Sequence, residues 1–252
     1  MSIFHSSSSS NGRSTRSSKT QPTLIALGVT GMLSALLMTV PLDGQQAKSF
    51  REINRGPLDQ KRIALTFDAG GEATDLHQLL ATLRDAGIHC TFFLTGRWSS
   101  KHPELVRKIL SEGHEIGNHS WSHPDFTRLD DEHIRSEIQK TEAFLMALTG
   151  QSSKPLFRAP FGARNRRVLK TVGELGYHSI YWTLDSLDSV DPPKTAPFLV
   201  NRITGKADAA LQGAIILMHV GEPSTAVALP SIVADLQRRG FTLVSVSDLL
   251  DL

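Results

Sequence analysis

Two histidines four residues apart, in His119-Ser120-Trp121-Ser122-His123-Pro124, open the chemical reading. On one helical turn that spacing puts both rings on one face, and imidazole is a common ligand of zinc-like metals. Two surface histidines would read the same way, so the pair takes its meaning from its company. Asp68 stands in Thr66-Phe67-Asp68-Ala69-Gly70-Gly71, where the glycines let a carboxylate come close to a substrate; the same residue would also suit a helix N-cap. His219 ends a very apolar run and is either a satisfied core histidine or, facing a carboxylate, an imidazolium able to act as general acid. Arg158 is either a surface charge or the partner that orients Asp68. A metal-bound water, a carboxylate base and a histidine acid form a hydrolytic set. The metal polarises a carbonyl, the base takes a proton from water, and the acid delivers one to the leaving nitrogen.

These side chains need elements to hold them. Beyond Lys61 short β-rich runs alternate with helical patterns. Strands are expected at Ile63–Phe67, His89–Leu94, His114–Gly117, Leu156–Phe157, Tyr177–Leu184, Ala214–Met218 and Phe241–Val246. Helices are expected at 73–86, from Pro103 to Leu110, over 131–148 and 168–175, around 196–211, and over 232–239. This alternation predicts an α/β fold with a parallel sheet, either a barrel or a doubly wound sheet, and in both the active site lies at the C-terminal ends of the strands. Asp68, His119, Arg158, Asp185 and His219 all fall at such ends.

Composition narrows the class. The chain has 252 residues, long enough for one large domain. Its net charge of +2 is unevenly spread: residues 1–60 hold six Lys/Arg against three Asp/Glu, and the remainder is slightly acidic. A nucleic-acid-binding domain is therefore not expected. The single cysteine, Cys90, rules out an internal disulfide framework and a Cys-based zinc site, and its apolar neighbours make it a buried core thiol. Residues 1–23 are Ser-rich and basic, and from Leu24 to Val40 no residue is charged. At helical rise that run spans about 25 Å, the pattern of a signal peptide or membrane anchor, with a buried core helix as the other reading. Basic residues ahead of it place the N-terminus in the cytoplasm and the remainder outside. Residues 41–60 read as a linker to an extracytoplasmic domain at 61–252.

From about Lys61 to the C-terminus the chain resembles the polysaccharide deacetylases, carbohydrate esterase family 4, with their NodB homology domain. The resemblance rests on Thr66-Phe67-Asp68-Ala69-Gly70, on His119 to Pro124 preceded by His114-Glu115-Ile116-Gly117-Asn118, on Arg158-Ala159-Pro160-Phe161-Gly162, on Asp185-Ser186-Leu187-Asp188, and on Leu217-Met218-His219. Thr91-Phe92-Phe93-Leu94-Thr95-Gly96 also fits. The resemblance implies a distorted (β/α)7 barrel that hydrolyses acetamido groups on a sugar, in a cell-wall glycan such as peptidoglycan or a chitin-type polymer. It makes Asp68 the general base, His119 and His123 metal ligands, Arg158 the orienter of Asp68, His219 the general acid and Asp188 the residue that tunes it. The backbone N–H of Phe161 would hold the oxyanion, and Leu217 with Trp182 or Phe161 would receive the acetyl methyl.

Two positions depart from the family pattern. Ala69 stands where the usual motif has an Asp that is the third metal ligand, and Ser189 replaces a usual Trp. Alanine cannot ligate, so Asp68 would bind directly, Glu72 or Asp75 would swing in, or a water would fill the place around a divalent metal, with zinc favoured by the histidines. Some members that act on peptidoglycan also lack that acid. The other functions open to the chain are a catalytically silent surface glycan-binding domain and an O-acetyl xylan esterase.

Overall fold

The computed structural model describes residues 52–252. The Ser-rich tail, the apolar run from Leu24 to Val40 and residues 41–51 lie outside the described residues. Among the described residues no helix is long and apolar enough to cross a membrane. The chain enters its sheet at β1 (Glu52–Ile53) and continues through β2 (Arg62–Ala69), β3 (Thr91–Leu94), β4 (Glu115–Asn118), β5 (Leu156–Phe157), β6 (His178–Ile180), β7 (Leu184–Asp185), β8 (Ile215–His219) and β9 (Thr242–Val244). Around it pack α1 (Leu76–Asp85), α2 (Gly96–Lys101), α3 (Pro103–Ser111), α4 (Asp131–Thr149), α5 (Arg166–Glu174), α6 (Ala196–Thr204), α7 (Asp208–Leu211), α8 (Pro223–Arg238) and α9 (Val246–Leu250).

The strand order is β1-β6-β5-β4-β3-β2-β8-β7, with β9 beside the start of β2. Every ladder pair is parallel. The sheet curls into the distorted barrel of the expected α/β class. Parallel pairing puts the C-terminal ends of all the strands on one rim, which is why the residues read as chemical converge. β2 shows how the two faces divide. Ile63, Leu65, Phe67 and Ala69 join the apolar cluster shared with Leu76, Leu79, Leu80 and Leu83 of α1. Ala64 faces inward with Phe93, Leu156, Ile180 and Ile215. Thr66 and Asp68 follow Ala64 on that inner face, as the period of two requires. Each α1 leucine is fully buried and contributes about 1.5–3 kcal/mol by leaving water.

Three expectations are corrected here. The end of the presumed linker is folded: β1 pairs with β6, and Arg55 bridges to Ala214. The expected strand Tyr177–Leu184 is two strands, because its backbone changes partners. Tyr181 N–H donates to Ile53 O of β1 (2.7 Å), whereas Thr183 N–H donates to Ile215 O of β8 (2.8 Å). The expected helix around 196–211 is likewise two, α6 and α7. α2 and α9, both short, give little periodic signal and were not expected. Cys90 is a buried free thiol, as its neighbours indicated.

Candidate active site

Asp68 sits next to the end of β2, only 5% exposed, and the fully buried Arg158 follows β5. Arg158 Nη1 donates to Asp68 Oδ1 (2.7 Å) and to Thr66 Oγ1 (2.8 Å). Its Nε donates to Ile180 O (3.2 Å) and its Nη2 to Tyr181 O (3.4 Å). The guanidinium lies 4.1 Å from the centre of the Phe93 ring. Phe93 in turn needs Gly117 opposite: a Cβ there would meet its ring at 2.5 Å. Glycine on β4 thus makes room for the aromatic shelf on which the arginine rests, so Arg158 is no surface charge. Burial pushes the Asp68 carboxyl up, but Arg158, and after it His119 and His219, outweigh burial and hold it below the usual carboxylate range.

The histidine pair does not lie on a helical turn. His119 and His123 belong to an irregular loop after β4, and Ser120 and His123 take left-handed backbone angles, φ 67° and 61°. The loop is pinned from both sides. Glu137 of α4 accepts from Trp121 N (2.9 Å) and Ser122 N (2.7 Å). Ser120 O and Trp121 O accept from Gly96 N (2.9 Å) and Arg97 N (3.0 Å) at the start of α2. Gly96 is required there because a Cβ would meet the Trp121 ring at 2.1 Å. The ring centroids of the two histidines are 4.8 Å apart.

His119 Nδ1 lies 2.8 Å from Arg158 O, and a carbonyl can only accept, so Nδ1 carries the proton. Its Nε2 lone pair is left facing Asp68 Oδ2 at 3.5 Å. Burial pushes His119 below the ordinary imidazole range, and burial with the neighbouring His119 takes His123 down to about 4. Two neutral imidazoles side by side, one oriented by a backbone carbonyl, are donors suited to a borderline divalent metal. The remaining ligand position does not fit as well. Ala69 is fully buried in the outward apolar cluster, so its methyl turns from the histidines toward the helices. Glu72 lines the cleft rim and Asp75 precedes α1, and among the described residues no three ligand-type side chains gather around one point.

On the opposite wall His219 faces Asp188. Asp188 Oδ1 accepts from His219 Nδ1 (2.7 Å) and Ser189 N (2.9 Å). Its Oδ2 accepts from His219 N (2.8 Å) and Thr225 Oγ1 (2.6 Å). Burial pushes the His219 imidazolium down, but the bond to Asp188 and its charge outweigh this and raise it above the usual range. Asp68 therefore favours its ionised form, and His219 holds its proton to higher pH than a free imidazole. A rate that needs both forms rises on an acid limb below the usual carboxylate range and falls on an alkaline limb above about 6.5. Asp188→Asn removes the charge that raises His219, and the alkaline limb is expected to move to lower pH. A pH–rate profile of the variant with that limb unmoved would show that Asp188 does not set it.

Asp68 and His219 pair in register on β2 and β8 and line a cleft of about 590 Å³ together with His119, His123, Phe161 and Trp182. Leu217 forms part of its wall and is 3% exposed. Phe161 is 72% exposed, holds φ 57°, and stands with its ring 4.4 Å from that of His123. Trp182 stacks on Tyr181 at 3.8 Å. Asp68, His119, His123, Phe161, Trp182, Leu217 and His219 thus line one cleft, with Arg158 and Asp188 directly behind it. Thr66 and Thr225 were missed. Thr66, two residues before Asp68, shares its face by strand period alone, whereas Thr225 carries no sequence signal. Of the five non-glycine residues with positive φ among the described residues, Ser120, His123, Phe161 and Leu187 belong to the loops of this cleft.

Residues 55–180 match the family described as Polysaccharide deacetylase. The chain is 35% identical over 199 residues to a peptidoglycan-N-acetylglucosamine deacetylase of Bacillus cereus, covering 77% of this chain and 90% of the relative. It is 32% identical over 196 residues to the peptidoglycan-N-acetylmuramic acid deacetylase of Bacillus subtilis, covering 77% and 73%. Among solved structures, a Bacillus anthracis protein described as a pseudoenzyme of carbohydrate esterase family 4 superposes with a TM-score of 0.75 at 31% identity, covering 81% of this chain and 70% of that one. A mutant of that protein is described as having restored enzymatic activity.

Proposed function

The chain belongs to the polysaccharide deacetylases of carbohydrate esterase family 4, hydrolases of amide bonds, and from that premise we propose that it removes N-acetyl groups from a cell-wall glycan and releases acetate. The observation that carries the reading is the placement of Asp68, bonded to Arg158, and His219, bonded to Asp188, in register across one cleft. Asp68, held by Arg158, accepts a proton from water as the water oxygen bonds to the acetamido carbonyl carbon. The carbonyl oxygen gathers negative charge, and the backbone N–H of Phe161 is assigned as the donor to it, as in the family pattern. His219, with Nδ1 on Asp188, gives its Nε2 proton to the nitrogen as the C–N bond breaks. Acetate and a free amine leave, and the proton on Asp68 returns through solvent to His219. Leu217 and Trp182 enclose the acetyl methyl, and the exposed Phe161 ring supplies an apolar face for the sugar.

His119 and His123 would hold a divalent metal, with zinc favoured by the imidazole donors, and water or Asp68 would complete its sphere. When bound, such a metal polarises a carbonyl and lowers the pKa of water. We also place the reaction outside the cytoplasm, on the strength of the basic segment and apolar run ahead of the domain, read as a signal or anchor.

Ala69 favours one other reading, a silent glycan-binding domain. The two separate in an assay of acetate release from N-acetylglucosamine oligomers and from peptidoglycan, using the full chain stripped of metal and then resupplied with zinc. Acetate release restored by zinc and reduced at least about 100-fold in His119→Ala is the expected result. Glycan binding with no acetate from either substrate would establish the silent domain instead.

A further inference from the structure

Relatives of this chain divide between N-acetylglucosamine and N-acetylmuramic acid, so the choice rests on its own residues. The two sugars differ in charge. The muramic residue carries a lactyl group at O3 whose carboxylate is free or extended by a peptide, whereas the glucosamine residue is neutral. The cleft is lined by the carboxylates of Asp68, Glu72, Asp185 and Glu222 and, among the described residues, by no Lys or Arg. His219, the one group in the lining that the site favours as a cation, is tied to Asp188, and the arginines nearest the cleft are committed elsewhere. Arg158 is fully buried behind Asp68. Arg164 pairs with Glu52 and lies 3.5 Å from the centre of the Tyr181 ring. Arg202 donates its Nε to Asp185 O, behind the rim.

Glu72 and Glu222 share one lip of the cleft. Their loops abut so closely that a Cβ on Gly221 would come within 2.4 Å of Glu72 O, and Val220 N–H donates to Asp68 O at 2.9 Å. Among the described residues neither glutamate forms an ion pair. Burial first, and the Asp188 charge second, push the Glu222 carboxyl up. Ser189, placed where the family pattern has a Trp, lies 3.5 Å from His219 Nε2 and adds no positive charge.

We infer that this cleft selects neutral N-acetylglucosamine residues and turns away sugars bearing a carboxylate at O3, the carboxylates of Glu72 and Glu222 supplying the repulsion. The inference rests on the deacetylase reading above. Its test uses glycan strands from which the stem peptides have been cut, so that each chain alternates neutral N-acetylglucosamine with muramic residues bearing free lactyl carboxylates. Mass spectrometry of the digested strands reads which sugar has lost its acetyl group, and the ratio within one sample is independent of overall activity. Loss from glucosamine at least about tenfold faster than from muramic acid is expected, narrowing as salt is raised. The ratio should narrow further in the double variant Glu72→Gln/Glu222→Gln. Equal or faster loss from muramic acid, or a ratio unmoved by the double variant, overturns the inference and leaves the deacetylase standing. No acetate from these strands or from neutral N-acetylglucosamine oligomers overturns both.

Discussion

Arg158→Met is expected to lower stability by about 3–5 kcal/mol, the usual result of leaving one member of a buried ion pair without its partner. Asp68 would keep its burial and lose its largest source of stabilising charge, so its carboxyl would rise toward neutrality. In the wild type that carboxyl is depressed. Its contribution to stability is present above the unfolded carboxylate value, about 3.9, and is lost as pH falls through the folded value. The stability gap between wild type and variant should therefore shrink in acid. Urea denaturation at neutral and at acid pH measures the gap, and the acid limb of the rate profile should shift upward with it. Arg158→Lys keeps the charge but not the fork that reaches Asp68, Thr66 and two carbonyls, and is expected to recover only part of the loss. A variant as stable as the wild type would mean that the pair is not held in the interior as described.

Asp68→Asn tests the chemistry with less damage to the fold. Asparagine keeps an oxygen for Arg158 and fits the same volume, but it cannot take a proton from water. Acetate release is expected to fall by about 10²–10⁴, the range of a lost general base. Far-ultraviolet circular dichroism should be unchanged. Activity within tenfold of wild type would remove Asp68 from its role as base and leave His119 or a bound hydroxide to be considered for it.

The rim of the site was readable because strand ends can be found by pattern, and a polar residue closing an apolar run stands out. Asp68 and His219 close such runs, and their pairing across β2 and β8 follows from the parallel sheet that the βα alternation predicts. The path between rim residues was harder to read. The spacing of His119 and His123 suits a helical turn, but no residue between them is a glycine that would announce left-handed backbone, and the loop is shaped by Glu137 from a distant helix. The break between β6 and β7 was hidden because Tyr181, Trp182 and Thr183 all have strand propensity. What ends the strand there is a change of neighbour, not of composition. The direction of Ala69 follows from the same period of two that places Thr66, yet it matters only once the histidines are known to sit across from Asp68.

The left-handed residues of the cleft loops set heat resistance against turnover. A non-glycine residue in that conformation costs about 1–2 kcal/mol, and Ser120, His123, Phe161 and Leu187 each carry this cost next to the reacting groups. Glycine would relieve it at His123, Phe161 and Leu187, whereas at Ser120 it would also remove the hydroxyl that accepts from His123 N–H. A library of this protein selected only for survival at high temperature would therefore gather glycines around its own cleft and grow more robust as it grew idle.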